Sequence, residues 1–195
     1  AMIPWGWMVP LSIACGNTVV LKASSQTPLT AMRIMELFYT EGGFPKGVVN
    51  LVTCSRVEAD ILLTDERVKA VTFVGTTGVG KQVYSKAAAH GKRVQAQCEA
   101  KNHALVLEDC NLEATVNAII NSTYGCAGMR CMALPVVCVQ DSIADEFVSL
   151  LKKKAEAMKL GCADDEDTDL GPVVNAGHKA VSYTHLRAHE TVLDL

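Results

Sequence analysis

The sequence contains no apolar run near the ~18 residues that a membrane-spanning helix needs, and no charged segment followed by an apolar one that would mark a signal peptide. It also lacks an excess of basic residues: 18 Lys and Arg stand against 21 Asp and Glu, for a net charge of −3 at pH 7. Without a basic surface, binding to nucleic acid or to anionic membranes is not expected. Internal repeats and low-complexity stretches are absent as well.

What is present is the composition of an ordinary soluble globular protein, with 49% apolar and 20% charged residues in a chain of 195. At about 150 residues per domain, this length corresponds to between one and one and a half domains. Because this is not a whole number of domains, the length predicts that the chain is a piece of a larger protein.

The eight cysteines include no Cys-x-x-Cys pair, so they lack the close spacing of a zinc site. A disulfide framework is not expected either, because the chain is long enough to bury a core and carries no export signal. We therefore expect most of the cysteines to be reduced and buried as small hydrophobic residues, in the cytoplasm or the mitochondrial matrix. At most one or two are expected to take part in chemistry.

Both ends of the sequence are expected to be cut. Ala1 is not an initiator, and Met2 lies inside an apolar segment with no helix cap before it. At the other end the composition changes at Val181, and residues 181–195 resemble a tail that recurs at the ends of many unrelated predicted proteins. We predict that this segment is not native and leave it out of the fold.

Two histidines in that segment raise the question of a metal site. His185 and His189 have the i, i+4 spacing of ligands on one helix face, but only Glu190 is near them as a third ligand. Since a zinc site uses three or four protein ligands, no metal site is predicted here.

Between the ends, short apolar β-rich runs alternate with segments of helical periodicity. The predicted strands cover about 19–21, 48–52, 68–74, 94–98, 104–107 and 134–139. The predicted helices cover about 28–41, 58–63, 79–90, 111–124 and 143–158. Alternation at this pace is typical of an α/β fold with a doubly wound parallel sheet.

The first candidate site is the turn from Phe73 to Gly80, between a predicted strand and a predicted helix. Glycines there let a backbone approach a pyrophosphate, whose charge the N–H groups at a helix start can receive. The order Gly-x-x-Gly-x-Gly differs from the dinucleotide fingerprint, however, and any turn of this kind can hold glycines. The residues alone leave a phosphate site and a plain scaffold turn both open.

The second candidate is the loop 125–132, where small residues surround a thiol. Glycine and alanine leave space above the sulfur of Cys131, and Arg130 brings a cation that favours a thiolate or holds a substrate carboxylate. The alternative is that Cys126, Cys131 and Cys138 only fill the core, as most cysteines do.

Several motifs, in order and spacing, resemble the middle of the aldehyde dehydrogenase superfamily from residue 1 to about residue 175. They are Ala14 to Lys22, Gly43 to Asn50, Phe73 to Gly80, the Cys131 loop and Leu170 to Val173. Within that likeness, residues 90–96, 100–103 and 130–132 resemble the CoA-acylating methylmalonate-semialdehyde dehydrogenase branch.

The resemblance implies part of a Rossmann-type NAD(P)-binding domain over residues 1–98 and the start of an α/β catalytic domain over 99–180. By match to the family's motifs, Lys22 would bind the adenosine ribose. Gly75, Thr76 and Gly80 would lie along the pyrophosphate.

One departure from the family bears on the choice of cofactor. Where NAD-preferring members often place a glutamate on the ribose hydroxyls, this chain has Ser25. Loss of that carboxylate removes a repulsion against a 2′-phosphate, so NADP becomes possible beside NAD.

The resemblance also implies a role for Cys131 as the nucleophile, which forms a thioester with the oxidised aldehyde. The position of the glutamate that activates water in hydrolytic members is Gln97 here, in agreement with coenzyme A as the acceptor. Arg130 matches the arginine that would bind the carboxylate of a malonate semialdehyde. Glu99, two residues after Gln97, is expected on the same strand face, where we interpret it as a solvated carboxylate.

Two functional residues of the family would fall outside the sequence: an oxyanion-hole asparagine just before Ala1 and a glutamate beyond the tail. We therefore expect this chain to be inactive by itself, although its parent is expected to be a homo-oligomeric enzyme acting on a small aldehyde. Two other functions stay open, a hydrolytic aldehyde dehydrogenase that produces a carboxylic acid and a nucleotide-binding module without chemistry.

Overall fold

The computed structural model describes residues 4–188, with the backbone alone at residues 185–188. Its strands are β1 (Val19–Lys22), β2 (Val49–Val52), β3 (Ala70–Val74), β4 (Arg93–Gln97), β5 (His103–Val106) and β6 (Val136–Val139). Its α-helices are α1 (Val9–Ala14), α2 (Pro28–Thr40), α3 (Asp60–Thr64), α4 (Thr77–Ala89), α5 (Leu112–Tyr124), α6 (Ala144–Glu156) and α7 (Ala176–Ala188). The chain divides into two compact units, residues 1–98 and residues 99–195.

The strands form three parallel pairs, β1 with β2, β3 with β4, and β5 with β6. A helix connects the two strands of each pair (α2, α4 and α5), as parallel neighbours require because the chain must return to the same end of the sheet. The predicted α/β class with parallel strands is thereby confirmed. Within the described residues no hydrogen-bonded strand ladder joins one pair to the next. The parallel strands of the predicted doubly wound fold are therefore present as three β-α-β units.

The core of residues 1–98 is formed by α1, the segment before it, α2 and the first strand pair. Pro28 opens α2, where proline is favoured because its missing N–H would have no helical partner. Ala31 is buried, and Ile34 and Phe38 follow it at helical spacing on the same face. Val49 on β2 is fully buried against them.

A buried lysine ties the second strand pair of this unit together. Lys92 precedes β4, and its ammonium group donates hydrogen bonds to the backbone oxygens of Asp65 and Val68, the latter at 2.6 Å. The backbone N–H of Arg93 donates to the oxygen of Lys69. These bonds fix the start of β4 against the segment that leads into β3.

In residues 99–195, α5 and α6 pack on the β5–β6 pair. Asn111 caps α5: its side-chain oxygen accepts a hydrogen bond from the Ala114 N–H at 3.0 Å. The helix then buries Val116, Ile119 and Ile120 against Phe147 of α6. The helical periodicity in the sequence predicts this face correctly.

The expectation that most cysteines are buried was wrong. All eight are free, three are half-buried and five are exposed, and the exposed ones are Cys15, Cys126, Cys131, Cys138 and Cys162. Most of them lie at a helix end, in a turn or in a loop. Cys138 lies on β6 opposite Leu105, which is exposed, because α5 and α6 cover only one face of this strand pair.

The predicted tail begins inside α7, which runs through Val181. The side chain of His185 and all of His189 and Glu190 lie outside the described residues. Over the remainder of the described side chains, no three His, Cys, Asp or Glu residues are grouped as a metal site would need. The described helices include none long and apolar enough to cross a membrane.

Candidate active site

The glycine turn, from Phe73 to Gly80, lies at the carboxyl ends of β3 and β4. Val74 and Gln97, the last residues of these strands, are paired in register. The Gly75 N–H donates a hydrogen bond to the Gln97 oxygen at 3.2 Å, so the turn lies beside the strand end that carries Gln97. In parallel α/β sheets this is the edge at which ligands bind.

At two glycines of the turn, neighbouring side chains fill the space that a Cβ would need. A Cβ at position 75 would overlap the ring of Phe73, and a Cβ at position 80 would overlap the sulfur of Cys98. At Gly78, by contrast, a Cβ would have no atom within 4 Å. One side of the turn is therefore close-packed, whereas space is open at Gly78.

The start of α4 is open to an anionic ligand. Thr76 occupies the N-cap of α4, a 13-residue helix, but its side chain makes no capping hydrogen bond to the helix N–H groups. The positive end of the helix dipole therefore meets an exposed Thr76 and the open space at Gly78. An anionic ligand can approach the backbone there.

Two other predicted cofactor residues follow β1. Lys22 is the last residue of that strand, is half-buried, and donates from Nζ to the Ala23 oxygen at 3.0 Å. Ser25 lies exposed in the bend beyond it. The structure thus brings Gly75, Gly80 and Gln97 together, and sets Lys22 and Ser25 at the end of a different strand pair.

The segment before Cys131 has an unusual backbone. After α5 ends, Cys126 and Ala127 both have a φ of +54°, and Gly128 has a φ of +70°. Left-handed backbone is unfavourable for residues with a side chain and persists only where the surrounding structure holds it. Loop 125–133 is therefore held in this shape by its surroundings.

Cys131 lies at the tip of a turn. The Ala133 N–H donates to the Arg130 oxygen at 2.9 Å, which leaves Cys131 and Met132 as the two central residues. The Cys131 side chain is exposed, so a small electrophile can reach its sulfur.

Arg130 borders an open cleft of about 300 Å³. Its Nη2 donates to the Asn121 oxygen at 2.7 Å, and its guanidinium occupies the space that a side chain at Gly125 would need. The cleft is lined by Ala118, Asn121, Ser122, Arg130 and Met132. Among the described residues Arg130 forms no ion pair, which leaves a cation available to a carboxylate.

Sequence reasoning missed Asn102, whose side-chain nitrogen donates to the backbone oxygens of both Cys131 and Ala133 at 2.8 Å. The two partners follow it by about 30 positions, so no local pattern points to them. Sequence reasoning also placed Glu99 on the face of Gln97, but β4 ends at Gln97. Glu99 follows in irregular backbone, where the alternation of a strand does not apply.

Comparison with known proteins now assigns the family. The model of the aldehyde dehydrogenase family matches residues 1–188. The chain belongs to the aldehyde dehydrogenase family. The malonate-semialdehyde dehydrogenase of Bacillus cereus is 51% identical to this chain over 178 residues, which are 91% of the chain and 36% of that relative. The chain thus spans little more than a third of its relative's length.

Solved aldehyde dehydrogenases share the fold. The methylmalonate-semialdehyde dehydrogenase of Oceanimonas doudoroffii has a TM-score of 0.89 and 39% identity, over 97% of this chain and 39% of its own. The betaine aldehyde dehydrogenase of Staphylococcus aureus, solved with NAD⁺, has a TM-score of 0.85 and 32% identity, over 97% of this chain and 38% of its own. The Rossmann-type interpretation agrees with both.

Proposed function

We propose that the full protein oxidises a short aldehyde of the malonate-semialdehyde type, methylated or not, to an acyl-CoA with NAD(P) through a thioester on Cys131. The observation that carries the proposal is the exposed thiol of Cys131 at the tip of a turn, directly after Arg130. The 51% identity to a malonate-semialdehyde dehydrogenase supports the substrate class.

The thiolate of Cys131 attacks the aldehyde carbon and forms a thiohemiacetal. When bound, NAD⁺ supplies the acceptor for the hydride that leaves this carbon, and the carbon becomes a thioester on Cys131. The thiolate of coenzyme A then attacks the thioester, the bond to Cys131 breaks, and acyl-CoA leaves. Arg130 binds the substrate's own carboxylate, because a guanidinium pairs well with a carboxylate in a cleft.

Gln97 supports coenzyme A rather than water as the acceptor. Its uncharged amide cannot take a proton from water, so hydrolysis of the thioester has no base at this position. Coenzyme A needs less help, because a thiol ionises far more readily than water does.

The cofactor is held by the carboxyl ends of the strands in residues 1–98, the NAD(P)-binding part. Gly75, Thr76 and Gly80 form the turn along the pyrophosphate, and Lys22 binds the adenosine ribose. Ser25 adds no negative charge beside that ribose, which leaves NADP as a second cofactor.

Residues 99–180 form the start of the catalytic domain. The 195-residue chain, which spans 36% of the relative's length, is inactive by itself and works within a homo-oligomeric enzyme. A free-thiol nucleophile stays reduced in a compartment such as the cytoplasm or the mitochondrial matrix, where we place the enzyme.

The deciding experiment measures turnover of malonate semialdehyde by the full-length enzyme with and without coenzyme A, with products identified by mass spectrometry. We expect acyl-CoA, and at least a tenfold loss of turnover without coenzyme A. Formation of free acid without coenzyme A would instead indicate a hydrolytic enzyme of the betaine aldehyde dehydrogenase kind. Loss of that acid formation in Glu99→Gln would then identify Glu99 as its base.

A second measurement tests the nucleophile in the 195-residue chain. Each cysteine is alkylated with iodoacetamide in the native protein, and the labelled peptides are quantified by mass spectrometry. We expect Cys131 to react about tenfold faster than the other exposed thiols, and Cys126→Ser to leave that rate unchanged. Uniform labelling would favour a nucleotide-binding module without chemistry.

A further inference from the structure

We propose that Asn102 is a positioning residue for Cys131, because its side-chain amide fixes the turn that carries the thiol. The inference rests on the proposed function, in which Cys131 is the nucleophile. Nδ2 donates one hydrogen bond to the Cys131 oxygen and one to the Ala133 oxygen, both at 2.8 Å. A single nitrogen thus holds two of the three carbonyl groups between residues 131 and 133.

Other bonds hold the opposite side of the same segment. The Leu134 N–H donates to the Ser122 oxygen at 3.3 Å, and the Leu134 oxygen accepts from the Thr123 hydroxyl at 3.0 Å. The turn is therefore held between the end of α5 on one side and Asn102 on the other. Removal of Asn102 leaves the exit of the turn in place and frees its tip.

The bond to the Cys131 oxygen also sets the peptide plane that follows the thiol. In a trans peptide the C=O and the next N–H point in opposite directions, so the Met132 N–H points away from Asn102. Rotation of this plane, which would turn the backbone C=O and N–H groups beside the thiol, requires the bond to Asn102 to break.

The backbone before the turn explains why a restraint from outside is needed. Cys126 and Ala127 are in the left-handed region, which residues with a side chain keep only where neighbours hold them. Asn102 belongs to the segment before β5, outside this strained stretch. It can therefore hold the tip of the turn while the strained residues cannot.

An asparagine suits this position because of its charge and its donors. Its amide nitrogen has two hydrogens and matches two carbonyl oxygens without adding charge near Arg130. Leucine has a similar shape without donors, and serine has a single donor. These two residues therefore give a graded test.

The experiment is the alkylation of the 195-residue chain in wild type, Asn102→Leu and Asn102→Ser, with the rate at Cys131 divided by that at exposed Cys162. We expect this ratio to fall about tenfold in Asn102→Leu and about threefold in Asn102→Ser. Iodoacetate is compared with iodoacetamide as well. We also expect Cys131 to prefer the carboxylate-bearing reagent because Arg130 precedes it in the chain, and this preference should fade in the same order.

The matched control is Asn111→Ala, which removes the cap of α5 in the same unit and lowers stability without touching the turn. It should leave the Cys131 ratio and the reagent preference unchanged. Equal ratios in wild type and Asn102→Leu would overturn the positioning role. If Asn102→Leu does not fold by circular dichroism, the ratio in Asn102→Ser decides in the same way. A wild-type ratio near one would instead overturn the nucleophile, and with it the proposed function.

Discussion

Residues 75–80 and residues 125–133 both connect a strand with a helix, yet different forces hold them. At the first segment, the ring of Phe73 and the sulfur of Cys98 fill the space that side chains at Gly75 and Gly80 would need. At the second, Asn102 donates hydrogen bonds to the backbone oxygens of Cys131 and Ala133, shortly after the left-handed backbone at residues 126–128. The packed turn, residues 75–80, is thus held by side-chain contacts. The tethered loop, residues 125–133, is held by hydrogen bonds.

This difference predicts whether a substitution changes the free energy of unfolding or the reactivity of Cys131. Close packing contributes to the free energy of unfolding, and overpacking of such a site costs about 1–3 kcal/mol. Hydrogen bonds at a half-exposed site contribute only ~1 kcal/mol net, although they restrict geometry strongly. Substitutions in the packed turn should therefore lower stability, whereas substitutions around Cys131 should mainly change its reactivity.

The largest effect is expected for Gly80→Ala. Its new Cβ meets the Cys98 sulfur, so the free energy of unfolding should fall by about 1–3 kcal/mol in a urea titration. Gly78→Ala in the same helix is the matched control. Because space is open there, it should be neutral or stabilise the chain by up to ~1 kcal/mol.

A second substitution sharpens this prediction. In the Gly80→Ala background, Cys98→Ala removes the overlapping sulfur and should restore part of the lost stability. An equal loss with and without that sulfur would mean that position 80 is restricted by something other than packing against Cys98.

A smaller effect of opposite sign is expected in the tethered loop. Ala127 has a φ of +54°, which glycine adopts without strain, so Ala127→Gly should raise the free energy of unfolding by about 0.5–1 kcal/mol. Ala118→Gly, in the middle of α5, should lower it by about 1 kcal/mol. If both substitutions destabilise equally, the left-handed backbone at Ala127 is not strained.

The sequence predicts those parts of the molecule that depend on local pattern. The spacing of Ala31, Ile34 and Phe38 gives the buried face of α2, because side chains on a helix repeat with its turns. Asn111 marks the start of α5, because its side-chain oxygen accepts a hydrogen bond from the first turn. Motif order points to the family and to the residues proposed for its site. The fold class follows from the alternation of these elements.

Features that depend on distant partners could not be predicted. Asn102 meets Cys131 only after the chain has passed through β5 and α5, and the left-handed backbone at Ala127 has no marker in its residue type. The end of β4, and thus the surroundings of Glu99, is set by pairing with β3. Exposure of Cys138 depends on which face of a strand pair the helices cover.

The smallest effect is expected at the surface of residues 1–98, where Asp65 binds Arg67. Two side-chain bonds, from Nε at 2.9 Å and from Nη2 at 2.6 Å, hold the pKa of this carboxyl well below its usual range. A carboxyl with a lowered native pKa stabilises the fold above its unfolded pKa of about 3.9, and this contribution is lost as the pH falls further. The stability gap between wild type and Asp65→Asn in urea should therefore be constant from pH 7 to about pH 5 and narrow by pH 3. Arg67→Met should behave in the same way, because it removes the cation that lowers this pKa. A difference in the free energy of unfolding that is as large at pH 3 as at pH 7 would mean that the charge of Asp65 does not stabilise this segment.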